Sequence, residues 1–337
     1  MKVSELGEIG LIERISKMIN DARDDSAQSW QKLIIGIGDD TAAWYGDTSI
    51  QLAKADSLIQ DVHFTLKTTS WEELGWKALA INLSDIGAMG GLPCYALVSL
   101  ALPDNTEVED VTDLYKGMIE LAKQFGVAII GGDTNRAVIA VIDVTVLGSM
   151  GTKRPNLLSR SLAKPGDKIA VTGYLGGAAG GLKMLSKNLR FDTKTTTALR
   201  KAFNQPYPRV AEGQMLVKQG VKTAIDISDG LIRDLGHICQ ASGVGARVEI
   251  ERVPICPQVK ANFGGEALRM ALSGGEDYEL LFTAGAETID KVKVAVSPCP
   301  VTVIGEITAD KEKGITLVDK QGNPVSLSGT GWDHFRK

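Results

Sequence analysis

Six short motifs set aspartate or glutamate among glycine, serine or alanine along most of this chain. They are Gly38-Asp39-Asp40, Ala55-Asp56, Ser84-Asp85, Gly132-Asp133, Asp226-Ile227-Ser228-Asp229-Gly230 and Gly274-Gly275-Glu276-Asp277. Carboxylate oxygens are ligands that Mg²⁺ prefers. If four such groups meet, two unit charges about 4 Å apart repel by roughly 4 kcal/mol at an effective dielectric of about 20. A shared site therefore needs bound cations, a chemistry typical of metal-assisted phosphoryl transfer.

Asp85 is the most informative of these acids. The pattern predicts a helix over Trp71–Met89, and on it Leu74, Ala78, Ile81 and Asp85 share one face. A carboxylate on an apolar face is expected to be paired with a cation or bound to a metal, because burying an unpaired charge is unfavourable. The alternative is that the helix ends earlier and Asp85 caps another segment. The metal ligand is the favoured interpretation.

The motif around Asp226 and Asp229 joins a predicted strand, Thr223–Ile227, to a predicted helix, Leu231–Ala241. Such a junction can point backbone N–H groups at an anion, although Asp229 could equally be an ordinary N-cap. Asp226 interrupts an apolar strand at its carboxyl end, where open α/β sheets usually bind ligands. We therefore expect Asp226 to face a ligand.

The remaining acidic motifs are weaker by themselves. Asp40 follows an apolar strand, and Asp133 follows the predicted strand Val127–Ile130, so both could lie on solvated turns. Glu276 lies in a glycine turn before the predicted strand Tyr278–Thr283. Each of these motifs gains weight only from the others.

Several other residues could contact a phosphorylated substrate. His63 could touch the substrate, and Trp332 is either a stacking platform or a core anchor. The glycine-rich segment 173–180 lacks the G-x-G-x-x-G spacing and is interpreted as close helix packing, with phosphate contact as the less favoured alternative. The sequence has neither a G-x-x-x-x-G-K-[ST] phosphate loop nor a serine nucleophile elbow. The basic candidates for binding phosphate oxygens are Arg136, Arg160, Lys164 and Arg209.

Length and composition predict two globular domains. The chain has 337 residues, 44% hydrophobic and 23% charged, with strands and helices alternating in both halves. The polar, turn-rich segment 151–156 places the boundary near residue 152, which gives domains 1–152 and 153–337. A net charge of -4 with dispersed lysine and arginine argues against nucleic acid. The absence of a signal peptide and of a long apolar run predicts a cytoplasmic protein without membrane contact.

Six motifs, in order along nearly the whole chain, together resemble those of the thiamine-monophosphate kinase family. They are G-I-G-D-D, N-L-S-D-I-G-A-M-G, G-G-D-T, A-I-D-I-S-D-G-L, S-G-G-E-D-Y-E-L and G-W-D-H-F. This resemblance implies the fold of the aminoimidazole ribonucleotide synthetase and selenophosphate synthetase superfamily. That fold is α+β, with two mixed α/β domains and a homodimer whose N-terminal sheets pair in a β-barrel. The implied reaction phosphorylates thiamine monophosphate with ATP, giving thiamine diphosphate.

The resemblance also implies roles for particular residues. The N-terminal domain would bind ATP and Mg²⁺ and form the dimer, and the C-terminal domain would contribute to the ATP and substrate sites. Several Mg²⁺ ions would be held by Asp40, Asp56, Asp85, Asp133, Asp226 and Asp229. ATP would contact Gly132, Asp133, Arg160 and Ser228, with Tyr115 expected near it. Thiamine monophosphate would contact His63, Glu276 and Trp332.

One departure from the family pattern concerns the residues before Asp56. The family usually has two hydroxyl residues there, whereas this chain has Lys54 and Ala55. A backbone carbonyl could still serve a metal, and Lys54 could replace some cation charge. The number of bound ions is therefore left open.

Two alternatives to this kinase remain open from the sequence. A sister ATP-dependent synthetase is disfavoured because selenophosphate synthesis commonly uses a reactive residue near the N-terminus, while the first cysteine here is Cys94. Hydrogenase maturation would favour a C-terminal cysteine, whereas this chain ends in Arg336-Lys337. A non-catalytic protein that binds divalent cations is the other alternative. For the kinase, the missing nucleophile elbow predicts direct in-line attack by the substrate phosphate.

Overall fold

A computed structural model describes residues 1–37, 43–46, 48–151 and 157–325. Asp40 and Trp332, both predicted site residues, lie outside the described residues. The segment 152–156, which contains the predicted domain boundary, lies outside them as well. Within the described part of the chain, no helix is both long enough and apolar enough to cross a membrane.

The chain divides into two compact units. The first comprises Met1–Ile86 and Gly91–Arg154, and the second comprises Gly87–Gly90 and Pro155–Lys337. The roles assigned to the two domains stay predictions.

The first unit is built around a mixed four-stranded sheet in the order β3-β6-β4-β5, in which β4 and β5 are parallel. A second sheet pairs the two short strands β1 and β2. The elements are α1 Val3–Asp21, α2 Gln28–Lys32, β1 Leu33–Ile35, β2 Ala43–Trp44, β3 Gln51–Ile59, α3 Trp71–Ala88, β4 Leu92–Leu102, α4 Val108–Phe125, β5 Ala128–Arg136 and β6 Val141–Ser149.

Helices α3 and α4 cross very closely at two glycines. A Cβ atom on Gly75 would lie 1.8 Å from the carbonyl oxygen of Leu114, and one on Gly117 would lie 1.9 Å from that of Glu72. Only glycine allows the two backbones to approach so closely. Helix α3 also packs on the sheet, because a Cβ on Gly148 of β6 would lie 3.0 Å from Ile86 Cγ2. The helix that carries Asp85 is therefore held tightly on both sides.

The second unit contains a six-stranded sheet in the order β12-β9-β11-β7-β10-β8, in which only β12 and β9 pair in parallel. Fully buried aliphatic side chains, including Val171, Leu235 and Leu281, form its main core. The elements are β7 Lys168–Thr172, α5 Gly177–Ser186, α6 Thr193–Asn204, α7 Val210–Lys218, β8 Thr223–Asp226, α8 Leu231–Ser242, β9 Gly245–Glu249, α9 Pro257–Asn262, α10 Ala267–Ser273, β10 Leu280–Ala284, α11 Ala286–Ala295, β11 Val301–Thr308 and β12 Ile315–Val318.

Two alternatives for local structure are wrong. Asp133 does not lie on a turn after Val127–Ile130, because β5 continues to Arg136 and pairs with β4 along that length. Helix α3 includes Asp85, so the alternative in which Asp85 caps another segment is also wrong. The expected close packing of segment 173–180 is confirmed, since a Cβ on Gly180 would lie 2.7 Å from Val259 Cγ2.

Candidate functional site

A lysine joins two of the predicted metal ligands in the first unit. Asp56 lies on β3 and Asp85 on α3, and the Nζ atom of Lys54 lies 3.2 Å from a carboxylate oxygen of each. The Asp85 side chain is 23% exposed, so this acid is half-buried and paired with a cation. Burial lowers the pKa of the Lys54 ammonium, but the carboxylates of Asp85 and Asp56 raise it more, and the pKa lies above its usual value.

Asp133 and Gly132 lie near the carboxyl end of β5, which forms the edge of the sheet opposite to β3. A Cβ on Gly132 would lie 1.8 Å from the carbonyl oxygen of Val98, so glycine is required where β4 passes. The exposed Asp133 carboxylate accepts hydrogen bonds from the Thr134 N–H, at 2.9 Å, and from the Asn135 amide. Three strand spacings of about 4.8 Å separate β5 from β3, or about 14 Å. The sheet therefore keeps Asp133 apart from Asp56.

His63 lies in the turn that follows β3. Its Nδ1 atom accepts a hydrogen bond from the backbone N–H of Ile59 at 3.0 Å. A neutral ring that accepts at Nδ1 carries its proton on Nε2. The turn thus fixes the orientation of a half-buried imidazole through its Nδ1 atom.

In the second unit, Asp226 is the last residue of β8 and its side chain is buried, at 3% exposure. Its predicted position at the carboxyl end of a strand is confirmed. The following loop carries Ser228 and Asp229, both half-buried. The Asp229 carboxylate lies 3.3 Å from Nε of Arg233, one turn into α8.

Asp234, a residue the sequence reasoning missed, organises this loop. One of its carboxylate oxygens accepts the backbone N–H groups of Ser228, Asp229 and Gly230, each at 3.1 Å. The N–H groups expected to face an external anion therefore bind the protein's own carboxylate. An acid in the first turn of a helix is a recognised sequence signal, and Asp234 occupies that turn.

The acids of the second unit are close enough to perturb one another. Burial, together with the nearby charges of Asp226 and Asp229, raises the pKa of Asp234 to about 8. Oxygen atoms of Asp229 and Asp234 and a ring nitrogen of His237 lie within 4.8 Å of one another. This grouping could hold a metal ion, which would favour the ionised form of Asp234.

Basic groups flank the same cluster. Burial lowers the pKa of His237, and the positive charges of Arg160 and Arg233 lower it further, so its imidazole is neutral at pH 7. Arg160 is exposed, and its backbone carbonyl accepts a hydrogen bond from the Ser242 hydroxyl at 2.8 Å. The predicted ATP contact Arg160 thus stands beside α8.

Glu276 is held against the Asp226–Gly230 loop by backbone hydrogen bonds. The Glu276 N–H donates to the Ser228 carbonyl at 2.7 Å, and the Tyr278 N–H donates to the Ile227 carbonyl at 2.9 Å. Glu276 and Tyr278 have φ values of 58° and 50°, a left-handed conformation rare for such residues and often found at functional sites. The second unit thus brings Asp226, Ser228, Asp229 and Glu276 together.

Asp277, the next residue in the chain, binds the start of helix α5. Its carboxylate accepts the N–H groups of Gly176, at 2.7 Å, and Ala178, at 3.2 Å, at the start of α5. Burial raises the pKa of Asp277 to about 7. The segment 173–180 is therefore capped from within the protein.

Three residues considered for phosphate or ATP contact make the following contacts within the protein. Arg209 makes two 2.7 Å bonds to Glu279 in a largely buried pair. Arg136 forms an exposed ion pair with Asp104, at 3.0 Å. Tyr115 is buried in α4, which raises the pKa of its hydroxyl.

Comparison with known proteins identifies the family. Residues 38–150 match the family described as AIR synthase related protein, N-terminal domain, and residues 164–318 match its C-terminal domain. The chain is 39% identical over 337 residues to the thiamine-monophosphate kinase of Escherichia coli K12, covering 98% of both proteins. The chain belongs to the thiamine-monophosphate kinase family. The motif resemblance and the expected pair of AIR synthase-type α/β domains are thereby confirmed.

Solved thiamine-monophosphate kinases share the fold along nearly the whole chain. The enzyme from Stenotrophomonas maltophilia K279a is 34% identical, with a TM-score of 0.80 over 94% of this chain and 96% of that one. The structure described as AaThiL complexed with AMPPCP and TMP is 31% identical, with a TM-score of 0.75 and 99% of each chain covered.

Proposed function

We propose that this chain transfers the γ-phosphoryl group of ATP to the phosphate of thiamine monophosphate, giving thiamine diphosphate. The observation that carries the proposal is the full-length similarity to AaThiL, a protein described in complex with AMPPCP and TMP. TMP is the phosphoryl acceptor in this proposal, and the ATP analogue occupies the place of the donor. Family membership at 39% identity supports the same reaction.

The acidic residues fit a divalent cation such as Mg²⁺. In the second unit a buried carboxylate, Asp226, stands near Asp229 and Asp234, and their mutual repulsion contributes to the raised pKa of Asp234. An oxygen-rich, negatively charged set of this kind suits Mg²⁺. When bound, Mg²⁺ would neutralise charge on the transferring phosphoryl group. Asp226 and Asp229 are the proposed ligands there, and Asp56 and Asp85 are proposed in the first unit.

The chain's own groups would act mainly by positioning. Asp234 holds the loop that carries Ser228, the proposed nucleotide contact, through three backbone hydrogen bonds. The loop in turn fixes Glu276, the proposed contact for thiamine monophosphate. Arg160 would contact a nucleotide phosphate, and His63 would donate from Nε2 to the acceptor substrate. Holding both substrates in line can by itself supply a large share of the rate enhancement.

The acceptor phosphate would attack the γ-phosphorus of ATP directly. An oxygen of thiamine monophosphate forms the new P–O bond while the bond to ADP breaks, so no covalent enzyme intermediate is needed. Gly132 and Asp133 are proposed to meet the nucleotide, and Asp133 a metal ion. The homodimer joined through N-terminal sheets and the cytoplasmic location are part of this proposal.

The test is product formation by the purified protein. We expect thiamine diphosphate to accumulate with ATP, Mg²⁺ and thiamine monophosphate, in equal amount to the ADP formed. Thiamine in place of thiamine monophosphate serves as the acceptor control, and chelation of Mg²⁺ should stop the reaction. Absence of thiamine diphosphate at every Mg²⁺ concentration would overturn the proposal. Nucleotide binding without turnover would favour a non-catalytic cation-binding protein.

A further inference from the structure

Lys54 lies where a cation would lie between two acids. Its Nζ atom is 3.2 Å from an oxygen of Asp56 and 3.2 Å from an oxygen of Asp85, with the three side chains between 23% and 40% exposed. Both contacts are within hydrogen-bond range for a charged donor and acceptor. The ammonium thus neutralises one of the two negative charges and occupies the space between them.

The strand register shows why position 54 decides what lies between these acids. Side chains of β3 alternate between faces, so Lys54 and Asp56 point to the face covered by α3. Ala55 points to the opposite face, where its neighbour Ser57 bonds Asp143 on β6. A hydroxyl at position 55 would therefore not reach the Asp56–Asp85 pair, whereas a residue at 54 does.

We propose that Lys54 is a built-in cation that takes the place of one divalent ion between Asp56 and Asp85. The inference rests on the proposed function, because it concerns the charge that the phosphoryl-transfer site needs. A divalent ion held by both carboxylates would compete with the ammonium for the space between them. The chain accordingly binds one divalent ion fewer than it would with a neutral residue at position 54.

The competing account is that Lys54 fills the space only until metal binds and then moves away. Both accounts predict weaker metal binding in the wild type than in a neutral variant. They differ at saturation. A lysine that moves away leaves the final number of ions unchanged, whereas a lysine that replaces an ion reduces it by one.

The decisive measurement is the number of Mn²⁺ ions bound per chain at saturation, from the electron paramagnetic resonance signal of free Mn²⁺. Lys54→Thr, which suits a strand, should bind one ion more than the wild type. Lys54→Gln, which keeps a long polar side chain, should do the same and guards against misfolding of the first variant. Lys54→Arg keeps the charge and should bind as many ions as the wild type.

Lys116→Thr is the matched control, because it removes an exposed lysine that pairs with Asp113 on α4 and so changes the net charge equally. It should leave the ion count unchanged. Adding Asp85→Asn to Lys54→Thr should remove the extra ion and so locate it. Equal counts in the wild type and both neutral variants, or a gain in Lys116→Thr, would overturn the proposal.

The ion count is independent of turnover. If the wild type makes no thiamine diphosphate, the proposed function fails while the count still decides the role of Lys54. If thiamine diphosphate forms and the counts are equal, the function stands and the inference fails.

Discussion

The ion pair of Glu279 and Arg209 gives the sharpest stability prediction. The Glu279 carboxylate accepts two guanidinium bonds of 2.7 Å and a hydroxyl bond from Thr172 at 2.6 Å. The side chains are only 9% and 22% exposed. Glu279→Gln keeps the shape of the side chain but leaves the guanidinium with the longer 3.4 Å contact to Glu212 in place of its two-bond partner.

The expected destabilisation follows from this geometry. Removing one partner of a buried pair typically destabilises a protein by about 3–5 kcal/mol, and the partial exposure of Arg209 argues for about 3 kcal/mol. In a unit of this size, that corresponds to a melting temperature lower by about 6–12 °C. Arg209→Met should have a similar effect, since it strands the carboxylate instead.

A double-mutant cycle measures the interaction itself. The free energy of unfolding is obtained by urea titration followed by circular dichroism for the wild type, both single variants and the double variant. The double variant should be about 2–3 kcal/mol more stable than the sum of the single effects predicts. Single effects below about 1 kcal/mol that simply add would refute the reasoning.

Three further predictions concern the site and its supports. Asp85→Asn should lower turnover about 100-fold in a folded protein. Asp104→Asn, which removes one partner of an exposed ion pair, should not lower turnover. Equal kcat/KM values for Asp85→Asn and the wild type would remove Asp85 from the site. Gly117→Ala should lower the free energy of unfolding, measured by urea titration, by about 1–3 kcal/mol, because the added Cβ overlaps with α3. Gly236→Ala is the control: its Cβ would make only ordinary contacts, so the free energy of unfolding should be unchanged or higher. Burial raises the folded-state pKa of Asp277 to about 7, so this acid favours folding below its unfolded pKa, and the free energy of unfolding declines between about pH 4 and 7 by up to about 1.4 kcal/mol per pH unit. Asp277→Asn should therefore gain stability relative to the wild type as the pH rises from 5 to 8. A difference between the two proteins that stays constant with pH would contradict this prediction.

Elements with strong local signals were predictable from the sequence. The sequence pattern predicts a helix over Val108–Phe125, and α4 has these bounds, because an amphipathic pattern ends at Gly126, whose φ of 65° suits a glycine C-cap. Helix α6 was missed because its first turns, Thr193 to Thr197, are rich in β-branched residues with low helix propensity. Its N-cap Asp192, which accepts from the Thr195 N–H at 2.9 Å, was the available signal.

The candidate site was predictable where one element decides a side chain's surroundings. The strand pattern predicted the buried position of Asp226, and helical spacing placed Asp85 on the inner face of α3. Tertiary contacts decide the rest. The ion pair of Lys54 with Asp85 joins a strand to a helix. The hydrogen bond from the Gly176 N–H to the Asp277 carboxylate joins two segments that are far apart in the sequence.

The hydrogen bonds between the Asp226–Gly230 loop and the Gly274–Tyr278 segment have a consequence for redesign. Residues proposed to hold metal and nucleotide share a backbone ladder with Glu276, proposed to contact the acceptor. A substitution at position 276 that disturbs its left-handed backbone would therefore also move the loop that carries the proposed metal ligands. A new acceptor contact at this position is best sought among residues such as asparagine that tolerate this conformation.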